Sequence, residues 1–120
     1  MEGKKQRLMI EPRGGVTIVS FADSKILDEQ VIQEIGDELF ALIDEQYKIK
    51  LLLNFENVDY LSSAALGKLI TLNKKVREEN GELKFCSIKP KIYDVFKITK
   101  LNKIFEIYED EERAIERFRH

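Results

Sequence analysis

Apolar positions along the chain recur at two periods, and these divide it into short strands and amphipathic helices. Arg7 to Glu11 (RLMIE) reads as a first short strand. Val16 to Phe21 (VTIVSF), β-branched and apolar on both faces, reads as an inner strand. Pro12, Arg13, Gly14 and Gly15 lie between them as a turn: proline presets one dihedral and glycine supplies positive φ. Strands joined so tightly pair antiparallel, as a hairpin. A connector from Ala22 to Leu27 leads to Asp28, which is placed to cap a helix. Ile32, Ile35, Leu39 and Leu42, with Ile43 beside them, then recur at spacings of three and four. Gln33, Glu34, Asp37, Glu38 and Asp44 fill the other positions, so the spacing predicts an amphipathic helix to about Gln46. Gly36 in its middle costs about 1 kcal/mol relative to alanine.

Lys50 to Phe55 (KLLLNF) is a short, nearly continuous apolar run between helices, the pattern of a central strand buried on both faces. Glu56 to Tyr60 is its connecting loop. From Ser62 the pattern is helical again, with Leu66, Leu69, Ile70, Leu72 and Val76 inward and Lys68, Lys74, Lys75 and Arg77 outward. Asn80-Gly81 ends that helix in the left-handed manner. Glu82 to Ile88 alternates as a further strand. Pro90 is suited to the first position of a short helix, whose buried face is Ile92, Val95, Phe96 and Thr99. Ile104 to Tyr108 is a last, marginal strand. Asp110 caps a closing helix through Phe118, with Glu111 and Glu112 at its positive end and Arg117 and Arg119 at its negative end. The order is ββαβαβαβα. It predicts one α/β domain over residues 7–118, with a mixed sheet of about four to five strands and about four helices, after a frayed stretch at residues 1–6.

Composition narrows the function classes. The 120 residues match the size of one ordinary domain, and 43% hydrophobic content suffices for one core. Charged residues reach 35% but are interspersed, with a net charge of −2, so neither the basic footprint of direct nucleic-acid binding nor an acidic tail is present. The stretch MEGKKQRLMIEPRGG lacks an apolar signal core, and no apolar run approaches the roughly 20 residues of a membrane span, so membrane insertion is not expected. Cys86 is the single cysteine; it can form no internal disulfide and fits a reducing cytoplasm.

Catalytic chemistry is hard to assemble from these residues. His120 is the single histidine and the last residue, which removes Ser–His and Cys–His arrangements and, with one cysteine, a zinc site. Cys86 reads as a small buried hydrophobe in a strand. No glycine-rich phosphate loop exists, so no cofactor, metal or catalytic residue is assigned. Glu56 and Asp59, in the loop before two serines, remain an acid–base, metal or pocket alternative. Ser62 and Ser63 open a helix after a buried strand, and either could be its N-cap, a role worth about 0.5–2 kcal/mol. The same geometry suits a phosphate, because helix N-terminal N–H groups and the dipole favour negative charge.

Asn54 to Gly67 (NFENVDYLSSAALG) resembles the signature of the STAS family, which comprises anti-sigma-factor antagonists and cytoplasmic domains of sulfate transporters. The VTIVSF strand, the Leu27-Asp28 helix start and the closing run Val95 to Ile115 fit the same resemblance. Aligned on Leu66-Gly67, Ser63 falls on the family's phosphorylatable serine. Ser62 takes the preceding place, Ala65 stands where glycine is usual, and Asn54 where aspartate is frequent. The resemblance implies a non-enzymatic antagonist that binds an anti-sigma factor which is also a serine kinase. Phosphorylation at Ser63 (alternatively Ser62) blocks that binding, and a serine phosphatase restores it. The expected docking surface is Asp59, Tyr60, Leu61, Ser62, Ser63, Ala64, Ala65, Leu66 and Gly67, with Asp23 to Asp28 as a second loop beside it. The alternative is an unphosphorylated scaffold that associates with itself or with a larger signalling protein.

Overall fold

Two strands joined by two glycines begin the computed structural model, which describes residues 6–119. The expected frayed stretch 1–6 therefore lies, except for Gln6, outside the described residues. Strands β1 (Leu8–Arg13) and β2 (Val16–Phe21) pair antiparallel across Gly14 and Gly15, at φ 58° and 84°. Both turn residues thus take the positive φ that a tight two-residue hairpin demands. Such a turn makes Arg13↔Val16 a hydrogen-bonded pair. The alternation along the ladder then leaves the nitrogen of Pro12 pointing outward. Proline is tolerated inside the strand for that reason, and β1 runs on to Arg13 instead of ending at Glu11.

β2 is followed by β3 (Lys25–Ile26), α1 (Glu29–Glu45), β4 (Lys50–Asn54), β5 (Tyr60–Leu61), α2 (Ser63–Glu78), β6 (Glu82–Cys86), α3 (Pro90–Ile98), a 3-10 turn (Leu101–Lys103), β7 (Glu106–Tyr108) and α4 (Glu111–Glu116). The main sheet has the order β1-β2-β4-β6-β7, and every pair but the first is parallel. β3 and β5 form a separate two-stranded parallel ladder. The fold is the mixed α/β arrangement that the periodicity predicts. β3 and β5 are additions to the expected order.

Alternation along the strands sorts the core into two faces. Val19, Phe21, Leu51, Leu53, Leu83 and Phe85 meet α1, α2 and α3. Val16, Ile18, Leu52 and Cys86 meet Ala114 and Phe118 at the C-terminal end of the chain. On the larger face the rings of Phe21, Phe55, Phe85 and Phe105 follow one another at 5.0, 5.8 and 4.6 Å between centroids. Three helices begin as expected: Asp28 accepts from Gln30 and Val31, Asp110 accepts from Arg113, and Pro90 occupies the first turn of α3. Among the described residues no helix is long and apolar enough to cross a membrane.

Several boundaries and faces differ from expectation. Ile70 and Val95 are exposed at 45% and 39%, since each lies at the rim of its helix's apolar stripe. Thr99 ends α3 and is exposed, its hydroxyl donating to the carbonyls of Val95 and Phe96. β6 stops at Cys86 because Ser87 turns to φ 58°. The last strand begins at Glu106, after the 3-10 turn, and α4 ends at Glu116. Lys84, a charged residue on the same strand face as Cys86, is 3% exposed beneath the chain's end; its ammonium donates to Glu106 at 2.6 Å.

Two glycines separate space from conformation. At Gly81 an added Cβ would meet the backbone oxygen of Ile49 at 2.6 Å, whereas at Gly36 it would meet the flexible stem of Lys68 at 2.9 Å. Gly81→Ala is expected to destabilise by about 1–3 kcal/mol. Gly36→Ala is expected to be neutral or to stabilise by up to about 1 kcal/mol. The shift in urea midpoint at constant slope reads both.

Candidate functional site

The parallel strands β2, β4 and β6 all end at one edge of the sheet, so the loops that follow them lie side by side. The loop after β4 is tied down at each step. Asn54, 6% exposed, accepts from the N–H of Glu56 at 2.8 Å and donates from Nδ2 to Glu111 at 2.5 Å. An aspartate there would set one carboxylate against another, which gives the asparagine a physical reason in this chain. Phe55 and Val58 are buried, and Asn57 donates to the carbonyls of Phe21 and Ala22. The N–H groups of Asp59 and Tyr60 donate to the Ser24 carbonyl at 2.7 and 3.1 Å, and that of Ser62 donates to Ile26 at 3.1 Å. The Asp23–Asp28 loop therefore lies beside the serine-bearing segment, held there by the β3–β5 ladder.

The two serines separate at this point. Ser62 is the N-cap of α2, with extended backbone and Oγ accepting from the N–H of Ala65 at 3.1 Å. Ser63 is the first helical residue and is exposed; among the described residues its side chain has no hydrogen-bond partner. Ala64 and Gly67 are also exposed, and a Cβ added at Gly67 would meet nothing within 4 Å. Ala65 and Leu66 are 4% and 7% exposed and belong to the core, so they support the helix start from below. The small accessible strip is Ser63, Ala64, Gly67 and Thr71, and it borders an open groove between α1 and α2.

On the other side, Asp59, Tyr60, Leu61 and Leu66 meet Lys91, Ile92 and Val95 of α3 in a groove of about 190 Å³. Lys89 donates to the Asp59 carboxylate and the Lys91 ammonium lies 4.1 Å from the centre of the Tyr60 ring, with Lys25 at 5.8 Å. The bond from Lys89, and then the charges of Lys91 and Lys25, hold the Asp59 carboxyl below its usual range. Asp59 is thus an ionised, partnered group at the rim. Neither serine lines that groove, and Glu56 is not part of it. Cys86 is fully buried, and burial pushes its thiol up to about 11. Among the described residues no group of three His, Cys, Asp or Glu side chains is gathered as for a metal. Lys25 falls within the expected second loop, whereas the contributions of Lys89, Lys91 and Val95 escape sequence reasoning. Their one available signal is that loops at the C-terminal ends of adjacent parallel strands converge.

Residues 7–114 match the model of the STAS domain family. The candidate anti-sigma factor antagonist BtrV of Bordetella bronchiseptica is 31% identical over 87 residues, spanning 72% of this chain and 74% of that protein. An anti-sigma-factor antagonist (STAS) domain protein from Planctomyces limnophilus superposes with a TM-score of 0.82 at 21% identity, covering 90% of this chain and 94% of its own. The Bacillus cell fate determinant SpoIIAA in its phosphorylated form superposes with a TM-score of 0.67 at 16% identity, covering 92% and 97%.

The cap geometry predicts unequal serines. Ser62→Ala is expected to cost about 0.5–2 kcal/mol and Ser63→Ala less than about 0.5 kcal/mol, read by denaturant unfolding. Lys89→Ala is expected to return the Asp59 titration to the ordinary carboxylate range, read by NMR of the side-chain carboxyl. The sign follows from the depressed folded value: the pair stabilises above the unfolded carboxylate range, and that contribution fades as pH falls through the folded value.

Proposed function

Because the chain belongs to the STAS domain family, we propose that it is a protein-binding module of the anti-sigma-factor antagonist type, switched by reversible phosphorylation of Ser63. Unmodified, its surface docks an anti-sigma factor that is also a serine kinase, and this frees a sigma factor for transcription. The kinase transfers the terminal phosphoryl group of ATP to Ser63 Oγ. An O–P bond forms at the serine, the bond to ADP breaks, and the hydroxyl proton passes to a base on the kinase. A serine phosphatase reverses the modification by hydrolysis. The chain's own part in this chemistry is to offer the accepting hydroxyl.

The observation that carries this reading is the division of labour between the adjacent serines. Ser62 Oγ is committed to the N–H of Ala65, whereas Ser63 is exposed one residue further on, at the first helical position. Modification of Ser63 leaves the cap intact. A phosphate there adds about −1.5 to −2 charges beside the positive end of the α2 dipole, which the fold tolerates. The same charge on the small strip formed by Ser63, Ala64 and Gly67 has to be desolvated by any docked partner, and it repels an acidic one. Asp59, Tyr60 and Leu61 extend the docking surface on one side together with Lys91 and Val95 of α3, and the Asp23–Asp28 loop lies alongside them.

Calorimetric titration with the cognate anti-sigma factor tests the switch. Ser63→Ala is expected to bind like the wild type. Ser63→Asp is expected to bind at least roughly tenfold more weakly, about 1.4 kcal/mol, without a lower Tm. Equal binding by Ser63→Asp overturns the switch. Stoichiometric phosphate on Ser63, found by mass spectrometry of protein from its own cells, separates the switch from an unphosphorylated scaffold.

A further inference from the structure

At the opposite end of α2, roughly 20 Å from Ser63 at 1.5 Å per residue, the chain forms a second and quite different concavity, open to solvent. Its volume is about 750 Å³, within the range of small-molecule sites. Six cationic side chains line it: Lys48, Lys50, Arg77, Lys84, Arg117 and Arg119. They come from the loop before β4, β4 itself, the last turn of α2, β6 and the end of the chain, so the fold and not the local sequence gathers them. The lining holds two carboxylates, Glu82 and Glu106, and both lie within 4 Å of the buried Lys84 ammonium. Among the described residues the other five cations form no ion pair. On a chain of net charge −2, this is a strong local excess of positive charge.

A structural role for these residues would be to complement the C-terminal ends of α2 and α4. Two helix termini carry about −0.5 charge each, which leaves most of the excess uncompensated, and Lys48 and Lys50 lie on neither helix. Like charges held in one concavity repel, and a bound anion relieves that repulsion. We propose that this cavity is an anion-binding site for a small solute carrying clustered phosphate groups. Several charges are needed because a monoanion would balance only a fraction of the excess. Arg77, Arg117 and Arg119 offer planar forks suited to phosphate oxygens. No aromatic side chain among the lining residues gives a nucleobase a ring to stack on. The recessed floor formed by Leu83 and the buried Lys84 suits a free solute better than a flat membrane surface.

Sodium tripolyphosphate titrated into the full chain at about 0.15 M salt, where the Debye length is about 8 Å, is the direct test. Calorimetry is expected to give one site per chain, and added ligand to raise Tm. The variants Arg77→Gln/Arg117→Gln and Lys48→Gln/Lys50→Gln are each expected to bind at least roughly tenfold more weakly, about 1.4 kcal/mol. Without ligand, their Tm is expected to match or exceed that of the wild type, whereas purely structural cations would leave the variants less stable. Absent binding, binding unchanged in both variants, or a preference for phosphatidylglycerol vesicles or polyglutamate over tripolyphosphate overturns the assignment. The outcome is independent of Ser63, so the switch and the anion site can fail separately.

Discussion

Burial of β4 on both faces is the constraint from which the rest of the structure follows. Leu51, Leu52 and Leu53 are all 0% exposed, and their side chains alternate, so a single layer of helices cannot cover them. α1, α2 and α3 take Leu51 and Leu53, while Leu52 is left to the chain's C-terminal segment. Their backbone groups need partners on both edges, which β2 and β6 supply in parallel register. Truncating one such leucine to alanine typically costs about 2–5 kcal/mol, a large share of a small domain's stability. Parallel pairing then dictates geography: the chain leaves β2, β4 and β6 at the same edge, where three loops are forced into company.

Features written in local chemistry are legible in the sequence. VTIVSF announces an inner strand, and Asp28, Ser62, Asp110 and Pro90 mark helix starts because each acts within its own turn. Gly14 and Gly15 announce the hairpin for the same reason. The β3–β5 ladder carries no such mark: it rests on backbone atoms of Ser24, Ile26, Asp59, Tyr60 and Ser62, which almost any residue could supply. Lys84 is a lone charge in a largely apolar strand, and nothing local marks what covers it: the chain's end lies over it and Glu106 satisfies its charge from another strand. At the site, the serine pair is visible because capping is local. The Lys89–Asp59 pair and the Lys91–Tyr60 contact join elements 30 or more positions apart, so they exist only once the loops converge.

α2 links two surfaces of opposite character. Its first turn presents small, uncharged residues, whereas its last turn contributes Arg77 to a rim of cations. Sixteen residues in one helix set these ends about 24 Å apart, well beyond the screening length at physiological salt. Charge gathered at one end therefore leaves the electrostatics of the other nearly untouched.

The outward-facing nitrogen of Pro12 has a consequence for the company this chain keeps. β1 is the rim of the sheet, and an open rim is a template on which another chain's strand can crystallise out of solution. With no hydrogen on that nitrogen, the rim is one rung short close to its hairpin end, and the exposed charges of Glu11 and Arg13 flank the gap. An incoming strand would have to pass over a missing rung between two hydrated ions. The loops at the C-terminal ends of the parallel strands thus stay open to contact while the edge of the sheet resists it.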